Sequence, residues 1–235
     1  MQTKPMTWII FSIKGTVLVL TIVAILMKLA SIESRDDSKS SGEFIAIFYQ
    51  SNRFQLLDYG TFWLSETPDI AGSTGWDAAA IRICSWVQLR DRWTLRTLYH
   101  FNTHLDHIGE TARLEGTRLI ADRIQKAAGS TIPTILTGDF NVGPNSDVYQ
   151  TINMNTPLQD AKHLTETSHY GPNGTLAIFF VIDGLGERLD YIFVTSKHFR
   201  ILKQKILTDS NNNSLPSDHL PVLAVLAIKS NNQFQ

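Results

Sequence analysis

Several things are scarce in this chain, and each scarcity excludes something. There is one cysteine in 235 residues, so no disulfide can form within the chain. Cys84 has no second thiol and no histidine at a metal-binding spacing, and it reads as a core residue. Neither sign of charge dominates: 21 Lys and Arg stand against 22 Asp and Glu, a net charge of −1, so there is no global basic field of the kind that gathers nucleic acid. The mildest exception is Arg82 to Lys126, with eight basic residues against five acidic ones, which suits either a phosphate-bearing substrate or a solvated helix face. Internal repeats and low-complexity tracts are absent, which excludes solenoids and disordered tails. With 43% hydrophobic and 18% charged residues, the chain is globular and long enough for one sizeable domain.

Long apolar runs are also absent, save one. Trp8 to Met27 is twenty residues broken by a single charge, Lys14. That length can cross a bilayer as a helix, and Leu29-Ala30-Ser31 makes a poor cleavage site for a secretory signal. Residues 1–31 are therefore expected to be a hydrophobic leader acting as a single-pass signal anchor in the membrane, with a cleaved signal or a non-native leader from a disrupted gene as the alternatives. Lys4 on one flank and Lys28 with Arg35 on the other leave its orientation open. Residues 32–42, rich in Ser and charge, read as a polar linker, and residues 43–230 as the folded domain.

Within that domain, Phe44–Tyr49 and Phe54–Asp58 predict a hairpin, with Thr61–Leu64 a further short strand. Ile81–Leu89 and Trp93–Thr103 predict a second hairpin around Arg90-Asp91-Arg92. Gly109–Ala128 is the clearest helix, with Leu114, Thr117, Ala121, Ile124 and Ala128 on one face and Gly129 ending it. A strand, a short helix at 146–153 capped by Asn145, and closing strands at 189–195, 201–208 and 222–228 follow. Asn173-Gly174-Thr175 and Asn212-Asn213-Ser214 match the glycosylation acceptor pattern.

The segment TILTGDFNVGPN, Thr134 to Asn145, draws the chemistry together. An apolar run climbs into Gly138-Asp139-Phe140-Asn141 and breaks at Gly143-Pro144, which reads as a buried strand ending in a loop. Alternation sends Asp139 and Asn141 to one side and Phe140 to the other. An Asp and an Asn there serve either a turn or a reaction. Three more blocks accompany it: Phe101-Asn102-Thr103-His104-Leu105-Asp106-His107, Leu189-Asp190-Tyr191-Ile192-Phe193 and Ser217-Asp218-His219-Leu220-Pro221-Val222. In this order the four blocks resemble the endonuclease/exonuclease/phosphatase superfamily, and the resemblance runs from about Arg35 to Ile228. Gly60 to Asp69, GTFWLSETPD, with Gly75-Trp76-Asp77-Ala78-Ala79, resembles a microbial-type branch of it.

The resemblance implies an α/β fold, a four-layer sandwich of two packed mixed sheets with outer helices. It implies a metal-dependent hydrolase of phosphate esters, using Mg²⁺ or Mn²⁺, with nucleic acid, an inositol phosphate or a phospholipid headgroup as substrate. By the same resemblance Asp139 orients or deprotonates the attacking water, and Asn141 holds that water or a phosphate oxygen. His219 serves the phosphate or acts as base, Asp190 orients His219, His104 contacts the phosphate, and Asp218 belongs to the metal site. Such residue types suit phosphate-ester hydrolysis, because a carboxylate accepts hydrogen bonds with a tunable pKa and imidazole titrates near neutrality. Trp76 and Tyr170 are candidates for a pocket lining, while Arg113 and Glu115 match branch positions without an assigned role.

One departure stands out. Family members carry an early Asn and a Gln-Glu pair, the Glu being a principal metal ligand, ahead of a segment like Arg35-Asp36-Asp37. No Asn and no Gln-Glu pair precedes Arg35 here. The first strands of one sheet are thus expected to be missing, with Glu43 the one nearby carboxylate that could stand in. The alternative reading is a membrane-tethered binding protein with impaired catalysis, or a truncated family member.

Overall fold

The structure, a computed structural model, describes residues 8–12, 27–31, 35–36, 44–177, 186–210, 212, 215 and 217–229. In chain order the elements are β1 Trp8–Ser12, β2 Met27–Ser31, β3 Ile47–Gln50, β4 Phe54–Trp63, β5 Ile83–Asp91, β6 Thr97–His104 and α1 Glu110–Ala127. Then come β7 Thr134–Asp139, α2 Asp147–Asn155, β8 Leu158–Asp160, α3 Ala161–Leu164, β9 Asp190–Thr195, β10 Phe199–Ile206 and β11 Val222–Ile228.

Six strands form a mixed sheet in the order β4-β5-β6-β7-β9-β8. Only β6 and β7 run parallel in it, and α1 is the crossover between them, the βαβ passage that the sequence predicts. A second sheet has the order β1-β11-β10, and β2 pairs with β3. Alternation along the strands splits the core in two. Val87, Leu89, Leu98, Ile135, Ile192 and Val194 face the strands of the second sheet, where Ile201, Ile206, Val222, Ala224 and Leu226 meet them. Phe62, Cys84, Phe101, Leu136, Phe140, Tyr191 and Phe193 face the opposite way, against Ile120 and Ile124 of α1 and Val148, Tyr149 and Ile152 of α2. Cys84 is a core residue, as expected, and burial pushes its thiol pKa up.

Two local expectations are corrected. The hairpin foreseen at Phe44–Tyr49 and Phe54–Asp58 does not form: Arg53 N–H does close a turn onto Gln50, but β3 pairs with β2 and β4 with β5. A turn signal fixes chain reversal without fixing the partner. The hydroxyl of Ser146, not Asn145, caps α2 by accepting from Tyr149 N–H. The two longer helices, α1 and α2, lie together on one face of the six-stranded sheet.

The leader falls mostly outside the described residues, as do Glu43, most of the 32–42 linker, and Asn213 and Ser214. Its described pieces are β1, antiparallel to β11 with Trp8 opposite Leu226, and β2. Among the described residues no helix is long and apolar enough to cross a membrane.

Candidate active site at the rim of the six-stranded sheet

The parallel pairing of β6 and β7 sets His104 beside Asp139, and the antiparallel pairing of β7 and β9 sets Asp139 beside Asp190. Three chemically able side chains thus form one row across the ends of three neighbouring strands. All three alternate toward the space between the sheets, the side away from Phe140 and Tyr191. His219 enters from the segment leading into β11 and completes the group. Its backbone is anchored by Ser217 Oγ, which accepts His219 N–H at 3.1 Å, and by the bridge to Leu176. Four of the five predicted catalytic residues are buried: His104, Asp139, Asp190 and His219 are 7%, 4%, 1% and 2% exposed.

The distances define a chain of contacts. His219 Nδ1 lies 2.7 Å from Asp190 Oδ2, a full hydrogen bond. The same nitrogen lies 3.9 Å from Asp139 Oδ2, and His104 Nε2 lies 3.4 Å from that oxygen on its other side. A carboxylate can only accept, so the bond to Asp190 puts a proton on Nδ1 and leaves Nε2 as the acceptor when His219 is neutral. Burial raises the pKa of Asp190 and the neighbouring Asp139 charge adds to this, while the hydrogen bond from His219 works against both. Thr175 steadies the start of β9, its hydroxyl accepting N–H from Leu189 at 2.9 Å and from Asp190 at 3.2 Å. Thr175 is fully buried, so the hydroxyl read as part of a glycosylation motif serves the site's backbone.

The Gly138-Asp139-Phe140-Asn141 turn has a steric reason for its glycine. A Cβ on Gly138, at φ +154°, would meet the Thr103 carbonyl oxygen at 2.1 Å, so only glycine lets β7 lie this close to β6. Asn141 then adopts φ +51°, a left-handed conformation that asparagine tolerates. Its N–H donates to Asp139 Oδ1 at 2.9 Å and its Nδ2 to the Leu105 carbonyl at 2.9 Å, while Leu105 N–H donates to the Asp139 carbonyl. The turn reading of Asp139 and Asn141 therefore holds, and the turn sets Asp139 in the row with His104 and Asp190. Asn141 keeps its Oδ1 and a second Nδ2 hydrogen for other partners.

Around Asp106 lies a support that the sequence did not reveal. This buried carboxylate accepts N–H groups from Ala79, Ala80, Ile108 and Gly109, and Nε of Arg82 at 3.3 Å. Burial alone would raise its pKa, but the backbone donors outweigh that and hold it well below the usual carboxylate range. Arg82 also donates to His107 Nδ1 at 2.9 Å, and Arg113 to the Asp106 carbonyl at 3.0 Å. His107 and Arg113 are thereby braces for the loop that follows His104. Glu115 pairs with Arg118 along α1. Trp76 is half-buried at φ +53°, its N–H shared by the Glu66 carboxylate oxygens at 3.2 and 3.3 Å. Tyr170 is set against β10, under the Lys205 ammonium.

Asp139, Asp190 and His219 offer ligand atoms within 4.8 Å of one another, and they are the one such His/Cys/Asp/Glu group among the described residues. Two hard carboxylate donors and an imidazole fit a divalent cation, and the buried pair of carboxylates calls for positive charge in its midst. Asp218 stands outside that group, half-buried, its Oδ1 accepting Ser217 Oγ at 3.3 Å.

Comparison with known proteins gives a consistent pattern. The model of the Endonuclease/Exonuclease/phosphatase family matches residues 17–219, beginning inside the hydrophobic leader. An endonuclease/exonuclease/phosphatase family protein from Bacteroides thetaiotaomicron is 35% identical with a TM-score of 0.80, over 88% of this chain and 77% of that one. Its counterpart from Bacteroides vulgatus is 36% identical with a TM-score of 0.81, over 87% and 77%. A mannosyl-6-phosphatase of Bacteroides thetaiotaomicron is 36% identical with a TM-score of 0.78, over 86% and 77%. No curated protein matches.

Proposed function

Because this chain belongs to the endonuclease/exonuclease/phosphatase family, we propose that it hydrolyses a phosphoric ester at the rim where His104, Asp139 and Asp190 meet His219. The observation that carries this reading is the alignment of three strand ends into one row, closed by the 2.7 Å bond between His219 and Asp190. Hydrolysis of a phosphate ester needs an activated water and compensation for charge on the phosphoryl oxygens. Asp190 fixes the His219 ring and stabilises its cationic form, leaving Nε2 to take a proton from water or to meet the phosphate. Asp139 acts from between the two histidines, and His104 supplies a hydrogen bond to the phosphoryl group. Mg²⁺ or Mn²⁺, held by Asp139 and Asp190 with Asp218 and Asn141 beside them, would supply positive charge to the phosphoryl oxygens.

The relative described as a mannosyl-6-phosphatase makes a sugar phosphate monoester the first substrate to try, ahead of nucleic acid, inositol phosphates and phospholipid headgroups. The test is phosphate release from mannose 6-phosphate, and hydrolysis of bis-p-nitrophenyl phosphate, RNA, inositol phosphates and sphingomyelin, each with and without Mg²⁺. Turnover that depends on the cation supports the hydrolase. No turnover from folded protein favours the second reading, a binding protein with impaired catalysis, which draws on the lack of a Gln-Glu pair before Arg35. The membrane anchor expected at Trp8–Met27 is a separate proposal that competes with the pairing of Trp8–Ser12, as β1, with β11: retention in the pellet after alkaline carbonate supports it, and release of full-length chain refutes it.

A further inference from the structure

Asn141 lies just past the end of β7, and Asp190 is the first residue of β9. β7 ends at Asp139 and β9 begins at Asp190, and one further backbone bond, Phe140 N–H to the Leu189 carbonyl at 2.8 Å, extends the pairing. Beyond it, a side chain takes over. The Tyr191 hydroxyl lies 2.9 Å from the Val142 carbonyl and 2.7 Å from the Arg188 carbonyl. Carbonyls only accept, so the single phenol hydrogen is shared between the two segments. Val142 directly follows Asn141, and Arg188 stands two residues before Asp190.

The ring that holds this hydroxyl is itself fixed. Tyr191 is 1% exposed, on the face of the sheet opposite Asp190. Phe140 meets it edge-on at 5.6 Å, Phe193 stacks at 5.5 Å, and the Arg188 guanidinium lies 4.3 Å from its centroid. Burial raises the phenol pKa, so the group remains a donor across the working pH range.

We propose that Tyr191 is a positioning residue of the hydrolytic site, holding the Asn141 turn and the Asp190 strand start at a fixed separation. This rests on the hydrolase reading above. Asn141 keeps a left-handed backbone that would relax if its neighbour were freed, and its Nδ2 holds the Leu105 carbonyl next to His104. Loss of one hydroxyl would therefore loosen three members of the row together, without touching the substrate.

The test is Tyr191→Phe, which preserves the ring and its packing. Tyr149→Phe serves as the control: Tyr149 lies in the same aromatic cluster, but its hydroxyl donates to Asp160 at 2.9 Å. The expected result is a fall in kcat of ~10- to 100-fold for Tyr191→Phe, the scale that a misplacement of about 1 Å produces. KM should stay within about twofold, and Tyr149→Phe should keep the parental kcat. Hydrogen exchange in peptides covering 138–145 and 186–191 should speed up in Tyr191→Phe and not in Tyr149→Phe. This second readout decides the proposal even if the parent hydrolyses nothing, an outcome that would count against the hydrolase reading alone. Unchanged exchange in both peptides, or equal losses of kcat in the two variants, would overturn the role given to Tyr191.

Discussion

His219 Nδ1 and Asp190 Oδ2 stand 2.7 Å apart, and the same Asp190 lies directly opposite Asp139 across the β7–β9 pairing. One carboxylate is therefore bound at once to a proton donor and to a neighbour of its own charge, inside the protein. The first relation fixes the His219 ring, and the second costs stability.

That cost predicts an effect of pH. The pKa of Asp190 is raised from its ordinary 3.8, mainly by burial and then by Asp139, so the folded chain holds this proton where the unfolded chain has lost it. Stability from this group is fully present below pH 3.8 and is lost as pH rises through the folded value. Asp190→Asn, measured without metal, should remove that fall and raise Tm at pH 7, by ~2–4 °C for each kcal/mol relieved in a chain of this size. Its kcat should drop at the same time. A lower Tm at pH 7 would mean that the bond to His219 outweighs the buried like charge.

Asp106 predicts the opposite slope. Its pKa is held low by backbone donors that overcome burial, so its contribution is present at neutral pH and is lost as pH falls below the ordinary carboxylate value. Asp106→Ala leaves the Ala79, Ala80, Ile108 and Gly109 amides and Arg82 without this acceptor, and should cost ~3–5 kcal/mol in urea unfolding. A loss below about 1 kcal/mol, the scale of an exposed pair, would show that water replaces the carboxylate freely.

The donor set predicts how metal binds. With Asp139 and Asp190 as the carboxylate ligands, calorimetry should find Mg²⁺ binding in the ~10⁻³ M range, weak because so few oxygen ligands converge. Asp139→Asn should abolish it. Micromolar affinity that survives Asp139→Asn would place the principal ligand elsewhere in the chain.

Much of the site was legible because its residues occupy strand ends in fixed order. The apolar run before Gly138-Asp139-Phe140-Asn141 marked β7, and alternation along it separated Asp139 from Phe140 as the packing does. The 18-residue α1 declared itself by its periodic face, and with it the parallel neighbours β6 and β7. What escaped was long-range. The sequence shows Asp106 as one more acid near a histidine, and its donors from Ala79 to Gly109 converge only in the fold. Thr175 and Tyr191 escaped likewise, since a hydroxyl's partners depend on which loops fold back beside it. The partner of β3 also lay beyond local signals, because turn chemistry at Ser51-Asn52-Arg53 is the same whichever sheet receives the strand.

Asp139→Asn isolates the part that this carboxylate plays in hydrolysis, since it keeps the side chain's shape and removes its charge from between His104 and His219. The measurement is steady-state hydrolysis of mannose 6-phosphate and bis-p-nitrophenyl phosphate, parent and variant alike at the Mg²⁺ concentration that saturates the parent. The expected result is a fall in kcat of ~10²–10⁴-fold with little change in KM, the size of effect seen when a well-placed acid–base group is lost. Cation-dependent turnover that survives both Asp139→Asn and His219→Ala unchanged would contradict it.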